Sequence, residues 1–220
     1  MERAPLDKRY QARRCSADNC ALRFPVDAGS QLGAKCPRCG SPTELTDAPY
    51  QTFPAAPGSP RALSLHVLLD NVRSLTNVGS IFRTSDGVGI HHVHLGGITA
   101  TPEHPKLAKT ALGAERSVPW THHPDACQAA ATLGATGHQL WALEAGERSE
   151  SVFAPSVAAA VREVGAAPIV IVVGHEVSGV DPRIIAQCQR VLSVPMQGTK
   201  GSLNVGVAFG VAAYTLSHGG

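Results

Sequence analysis

Four clusters of residues in this chain have types and spacings that could do chemistry. One is the segment Val194-Pro-Met-Gln-Gly-Thr-Lys-Gly-Ser-Leu-Asn-Val205. It lies between a strand-like run, 190–194, and an Ala/Gly/Val-rich run, 206–217, that reads as a helix. Pro195 has no N–H to donate and stops a strand ladder. Gly198 and Gly201 allow backbone angles that side chains forbid, and Ser202 stands where the next helix wants its N-cap. Such a strand–loop–helix unit offers free N–H groups and placed polar side chains. It is not a P-loop, because Lys200 precedes Gly201 instead of following it. By its local chemistry the loop serves equally as a ligand site or a plain connection.

Two more loops carry unusual polar residues. Asp70-Asn-Val-Arg-Ser-Leu-Thr-Asn-Val-Gly79 leads into Ser-Ile-Phe-Arg83. Asn77 is expected to cap a helix over 78–88, which puts Arg83 in the second turn. Its plain role there would be an i, i+3 pair with Asp86. In Val173-Gly-His-Glu-Val-Ser-Gly-Val-Asp-Pro182, Gly174 would let a ligand approach the backbone. Glu176 could cap the following helix, and Asp181-Pro182 reads as a helix start.

The fourth cluster is cysteine: Cys15-x4-Cys20, then Cys36-Pro-Arg-Cys39-Gly40. Two such pairs suit tetrahedral thiolate binding of Zn2+, which predicts a small zinc ribbon. Free thiols or two disulfides are the other readings. Cys127 and Cys188 stand alone and are expected as small buried groups.

The elements that must position these residues follow from periodicity. Strands are expected at 63–69, 91–95, 139–143, 168–173 and 190–194. Helices are expected at 78–88, 105–111, 125–133, 155–164, 182–188 and 206–217. Strands alternating with helices predict an α/β fold, a parallel sheet flanked by helices. In such a sheet, ligands sit beyond the carboxyl ends of the strands. The expected domains are a ribbon at 1–46, a Pro-rich linker at 47–61 and a core at 62–220.

Composition bounds the function. With 43% apolar residues the chain can bury a core. No apolar run reaches 18 residues, so no membrane span is expected. The charged start has no apolar signal core, and a cytoplasmic protein is the expectation. Residues 1–46 hold eight Lys/Arg against five acids, while the whole chain is +2. The ribbon is therefore the basic part, which suits an RNA-facing role or a merely solvated face. His91-His92-x-His94 is expected on a strand, with His92 and His94 on one face. Surface or core positions, and not a second metal site, are the reading for these histidines.

Taken together, Asn71-x5-Asn77-x-Gly79-x3-Arg83, Gly174-x-Glu176-x2-Gly179 and Val194-Pro-Met-x-Gly198-x3-Ser202-Leu-Asn204-Val resemble the three motifs of the SpoU/TrmH family. These are SPOUT-class RNA ribose 2′-O-methyltransferases. His104-Pro-Lys106, Ala111-Leu-Gly113-Ala-Glu115 and Val118-Pro119 are similar to family sequence too. The likeness covers about residues 62–218 and leaves the ribbon outside it. It implies a C-terminal trefoil knot and S-adenosyl-L-methionine as methyl donor. It also implies a homodimer and a structured rRNA or tRNA as substrate. The donor contacts it implies are Leu95, Gly96, Gly97, Thr99, Gly174, His175, Glu176, Val194, Met196 and Leu203.

The chemistry narrows the roles. A ribose hydroxyl must lose its proton as it attacks a sulfonium methyl, so orientation and alkoxide stabilisation should dominate. The family gives the arginine matching Arg83 the role of activating that hydroxyl. Its high pKa favours a cation holding the alkoxide and adjacent phosphate over a neutral base. Asn77 would orient Arg83 or the ribose, Ser202 and Asn204 would fix the nucleotide, and Glu176 would balance charge near the sulfonium. The alternative is a non-catalytic RNA-binding or ribosome-associated protein that retains the knot. A nucleotide-binding enzyme of other chemistry is disfavoured, because Gly-x-Gly-x-x-Gly and a Walker lysine are both missing.

Overall fold

The computed structural model describes residues 9–51 and 63–218. The chain divides into two compact units, residues 1–59 and 60–220.

In the first unit, β1 (Arg9–Cys15), β2 (Arg23–Asp27) and β3 (Thr43–Gln51) form an antiparallel sheet in the order β2-β1-β3. Cys15 ends β1, and the segments after β1 and β2 carry the other three clustered cysteines. Gly40 has φ +75°, a left-handed angle natural to glycine, and its N–H bonds back to Cys36 O at 2.9 Å. β3 runs on to Gln51, so residues 47–51, expected in the linker, are strand. The rest of that linker lies outside the described residues.

The second unit begins with β4 (Leu65–Asp70), α1 (Leu75–Val88) and β5 (His92–Gly96). Then come α2 (Ala108–Ala111), a 3-10 turn at Ala114–Arg116, and β6 (Trp120–His123). After these follow α3 (Ala126–Ala135), β7 (Gln139–Leu143), β8 (Glu150–Ser151), α4 (Pro155–Glu163) and β9 (Ile169–Val173). The unit closes with α5 (Pro182–Ile185), β10 (Arg190–Ser193) and α6 (Val205–His218). The sheet is parallel throughout, in the order β6-β5-β4-β9-β7-β10-β8.

β9 lies in the middle of this sheet, and all five of its residues are buried. That is why it reads Ile-Val-Ile-Val-Val with no polar alternation. Each such side chain contributes about 1.5–3 kcal/mol relative to exposure. One face of the sheet packs on α1, α4 and α6 through Phe82, Val161 and Phe209. The other packs on α3 and α5 through Ala130, Leu133 and Ile184. α1 and α6 approach closely because Gly206 lies over Ser80 and Gly210 over Thr84. No helix among the described residues is long and apolar enough to cross a membrane.

The parallel α/β arrangement matches expectation, and several boundaries differ. α1 starts three residues early: Ser74 is its N-cap and Asn77 lies inside the first turn. The helices expected at 105–111 and 182–188 shrink to four residues each. After α5, Gln187 and Cys188 bond three residues back, to Ile184 O and Ile185 O, which tightens the chain out of α-helix. β6 and β8, of four and two residues, were not anticipated.

Candidate active site

The site starts from the carboxyl ends of β4, β9 and β10. Beyond β4, Asp70 is buried, and its Oδ2 accepts from Asp181 N–H at 2.8 Å. Its Oδ1 accepts from Asn71 Nδ2 at 2.8 Å. Asn71 sits at φ +57°, and its Oδ1 accepts from Ile98 N–H at 3.1 Å. This loop is therefore pinned to the segments after β9 and β5 before it enters α1.

Glu176, after β9, reaches back to the same loop. Its Oε1 accepts from Ser74 N–H at 2.9 Å and Asn77 Nδ2 at 2.8 Å, and its Oε2 from Arg73 N–H at 3.1 Å. Burial alone would raise its carboxyl. The N–H groups of Ser74, Glu176 itself and Arg73, with the Asn77 amide, outweigh burial and bring it down to about 2. Glu176 thus holds the start of α1 and does not cap the helix that follows it. Asp181 caps that helix, accepting from Arg183 N–H at 2.8 Å.

A carboxylate only accepts, so Asn77 must offer Glu176 its NH2 and turn its oxygen elsewhere. That oxygen accepts from Asn204 Nδ2 at 2.9 Å. Asn204 Oδ1 in turn accepts from Gly206 and Val207 N–H at 3.0 and 3.4 Å, so Asn204, not Ser202, is the N-cap of α6. One chain of hydrogen bonds, Glu176–Asn77–Asn204, joins all three motif loops.

The second and third of these loops, with the segment after β7, form a cavity of about 400 Å³, lined by residues 143–145, 174–177, 179, 193–194, 201–205 and 208; the first loop lies behind it and lends no lining residue. Of the expected donor residues, Gly174, His175, Glu176, Val194 and Leu203 line it, and Ser202 and Asn204 join them. Leu95, Gly96, Gly97, Thr99 and Met196 do not. Leu95 is core. A Cβ on Gly96 would lie 2.6 Å from Ala126 Cβ, and one on Gly97 would lie 2.0 Å from Asn71 Oδ1. Thr99 Oγ1 accepts from Val72 N–H at 3.0 Å and donates to Leu69 O at 3.3 Å. In this chain the segment after β5 is engaged in holding the β4 loop.

Gly174 and Gly79 have structural reasons. A Cβ on Gly174 would stand 2.2 Å from Gly179 C and Val180 N, because the loop folds back on itself. The approach anticipated for a ligand is thus made by the chain's own backbone. A Cβ on Gly79 would stand 2.1 Å from Thr110 Oγ1 in α2. Gly198 and Gly201 have no left-handed φ and open space around them, so nothing in the structure explains them.

Arg83 lies on the exposed face of α1, outside the cavity, with no hydrogen bond or ion pair among the described residues. The expected pair with Asp86 does not form. Asp86 instead accepts from Ser117 Oγ at 2.7 Å. Sequence reasoning missed Glu144, which follows β7 and lines the cavity. Its Oε2 accepts from Val180 N–H at 3.0 Å and its Oε1 from Ala145 N–H at 3.1 Å. An acid just beyond a strand's carboxyl end was the available signal.

In the first unit, the sulfurs of Cys15, Cys20, Cys36 and Cys39 all lie within 4.8 Å of one another. Cys15 and Cys39 approach to 3.5 Å, Cys20 and Cys36 to 3.8 Å. Sulfurs about 2.3 Å from one tetrahedral ion would lie about 3.8 Å apart, so the residues fit a thiolate-bound metal. The Ser41 hydroxyl and N–H lower the Cys39 thiol, whereas at Cys15 the lowering by the Ala17 backbone is outweighed by burial and the three neighbouring thiols, which raise it, so the cluster without an ion favours one thiolate and not four.

A parallel sheet with a cavity beyond its strand ends defines an α/β protein with a small-molecule site. Residues 64–214 match the SpoU rRNA Methylase family, and the chain belongs to that family. It is 32% identical over 169 residues to an uncharacterized tRNA/rRNA methyltransferase of Mycobacterium avium, covering 77% of this chain and 51% of that one. It is 30% identical over 155 residues to the tRNA (guanosine(18)-2′-O)-methyltransferase of Thermus thermophilus, covering 70% and 74%. Among solved structures, the fold is shared with the SpoU methyltransferase AviRb of Streptomyces viridochromogenes in complex with AdoMet. There the TM-score is 0.60 at 24% identity, over 72% of this chain and 61% of that one. The chain spans about half the length of the first of these relatives.

Proposed function

We propose that this protein transfers a methyl group from S-adenosyl-L-methionine to a ribose 2′-hydroxyl of a structured rRNA or tRNA. The observation that carries this reading is the Glu176–Asn77–Asn204 chain, which ties the first motif loop to the two motif loops that line one cavity. A volume of about 400 Å³ falls within the range of roughly 300–1,000 Å³ usual for small-molecule sites. Backbone groups after β7, β9 and β10 are placed to read an adenosine. Glu144 and Glu176 put negative charge beside a cationic ligand. When bound, the donor supplies an electrophilic methyl group on a sulfonium. The named relative from Thermus acts on a ribose hydroxyl, which supports the same acceptor here.

The chain's own part is orientation and charge. Ser202 makes no hydrogen bond among the described residues and faces the cavity, where it can meet the nucleotide. Arg83 holds the hydroxyl as its proton leaves, and clamps the neighbouring phosphate. Because Arg83 stands outside its own cavity, a homodimer completes the site. Exposed Val207 and Tyr214 on α6 offer the apolar surface for that contact. The knot, a ribbon that extends at least to Gln51 ahead of the core, and a cytoplasmic location belong to the same proposal. The four clustered thiols hold Zn2+ as thiolates.

Calorimetry of the full chain with S-adenosyl-L-methionine tests the donor. Micromolar binding is expected. A folded protein that binds none of it removes the methyltransferase reading.

A further inference from the structure

A second ligand-bearing cluster lies on the sheet face that α3 covers only in part. Strand register puts His66 of β4 directly opposite His92 of β5, with His94 two residues on and on the same face. The ring centroids of these three are 6.1 Å (His66–His92), 5.7 Å (His66–His94) and 4.6 Å (His92–His94) apart. Three imidazoles around one tetrahedral ion, at metal–nitrogen distances near 2.0–2.1 Å, have centroids about 5 Å apart. A His-x-His on one strand and a histidine opposite on its neighbour thus match the spacing of a three-imidazole site.

The individual nitrogens agree. His66 Nδ1 and His94 Nε2 are 3.4 Å apart, against about 3.3 Å for two ligands of a tetrahedral ion. Each ring's other nitrogen already has a partner. His94 Nδ1 lies 3.1 Å from His123 Nε2, and His66 Nε2 lies 3.5 Å from Ser64 Oγ. His92 Nε2 lies 2.9 Å from Thr121 Oγ1, and its Nδ1 has no hydrogen bond among the described residues. Metal-bound histidines characteristically donate their second N–H to such a partner, which sets the tautomer. The nitrogens do not yet converge on one point, since the rings lie within 13–38° of parallel. Binding an ion therefore requires the His92 ring to turn about its side-chain torsions until Nδ1 faces the other two.

We propose that His66, His92 and His94 form a binding site for a divalent first-row transition-metal ion, separate from the four cysteines. Imidazole ligands suit Zn2+, Cu2+, Ni2+ or Co2+. His66 and His94 would ligate through Nδ1 and Nε2, and His92 through Nδ1. Solvent would take the fourth position, because His66 and His92 are only half-buried. The ion would tie β4 to β5. This site stands whether or not the protein is a methyltransferase.

The test is a Co2+ titration of the metal-free, full-length protein. Thiolate-bound Co2+ has sulfur-to-metal charge-transfer absorption in the near ultraviolet, whereas imidazole-bound Co2+ shows only visible bands. Two equivalents are expected, one of each kind. His66→Gln and His92→Gln, at half-buried positions, should each weaken the second by tenfold or more and leave the first unchanged. His104→Gln should alter neither. A single, thiolate-type equivalent overturns the proposal. So does a second equivalent that survives both His66→Gln and His92→Gln in folded protein.

Discussion

Asn77 and Asn204, 127 residues apart, share a hydrogen bond of 2.9 Å that joins the first turn of α1 to the N-cap of α6. Asn204 therefore does two jobs at once. Asn204→Ala removes the cap and should cost about 1 kcal/mol of unfolding free energy. It also frees Asn77 from its anchor, so donor affinity should fall in the same variant. Ser202→Ala, which removes neither bond, should leave stability within about 0.5 kcal/mol. Denaturant melts with calorimetry check both. Equal loss from Ser202→Ala would contradict the assignment of the cap.

Glu176 makes the first-loop anchor pH-dependent. Its folded carboxyl sits at about 2, below the ordinary value of 4.5. Between those values the unfolded chain binds a proton that the folded chain does not. The stability it contributes is therefore complete above pH 4.5 and is lost as pH falls towards 2. Glu176→Gln has no charge to lose. Its stability deficit against the parent should be constant near neutrality and shrink on acidification. A deficit that stays flat from pH 6 to the acid limit of folding would show that the carboxylate's charge does not hold the loop.

Glycines separate structure from tolerance. Gly174→Ala drives a Cβ into backbone at 2.2 Å, with no flexible side chain to yield. Overpacking of this kind costs about 1–3 kcal/mol, and donor binding should fall with it. Gly198→Ala meets nothing within 4 Å and needs no unusual φ, so stability should stay within about 0.5 kcal/mol. Thermal melts of the two variants decide. A neutral Gly174→Ala would mean the fold-back loop can open.

Much of this was legible beforehand, for particular reasons. β7 falls on residues 139–143 as expected, and β9 announces itself as an unbroken apolar run. Ser74 and Asn204 compete as caps with Asn77 and Ser202, residues of equal propensity close by in sequence. Asn77 does not cap α1, because its Oδ1, the atom a cap would use, accepts from Asn204 Nδ2, 127 residues away. No local pattern carries a bond of that span. The same holds for His66 and His92: alternation places His92 beside His94, but only strand register sets His66 opposite. The cysteines were readable because zinc-ribbon spacing is itself local.

The zinc proposed at those cysteines has a direct measure. The purified protein should carry one zinc per chain, absent in the Cys36→Ser, Cys39→Ser double variant. Losing it should unfold the sheet β2-β1-β3 and leave donor binding intact. Zinc-free native protein, or donor binding that vanishes with the ribbon, would contradict the division of roles.

Arg83 separates mechanism from scaffold. It has no pair with Asp86 to lose, so Arg83→Ala should leave folding and donor binding unchanged. Methyl transfer should fall by about 10² or more, the scale of losing one oxyanion donor. Arg83→Lys keeps the charge and loses the planar fork, so a two-point clamp should fail with it. Near-parental turnover in Arg83→Lys would reduce the clamp to a simple positive charge. Full activity in Arg83→Ala would remove Arg83 from the mechanism.

The central claim, methyl transfer to a ribose hydroxyl, is tested most directly by the alkali resistance of the product. Total RNA from cells lacking the protein is incubated with purified full-length chain and methyl-labelled S-adenosyl-L-methionine, then hydrolysed in alkali. Cleavage needs a free 2′-hydroxyl, so a methylated ribose protects its own phosphodiester bond. The label should be recovered in alkali-resistant dinucleotides. Label in mononucleotides would place the methyl on a base, and no transfer to any RNA would contradict the account altogether.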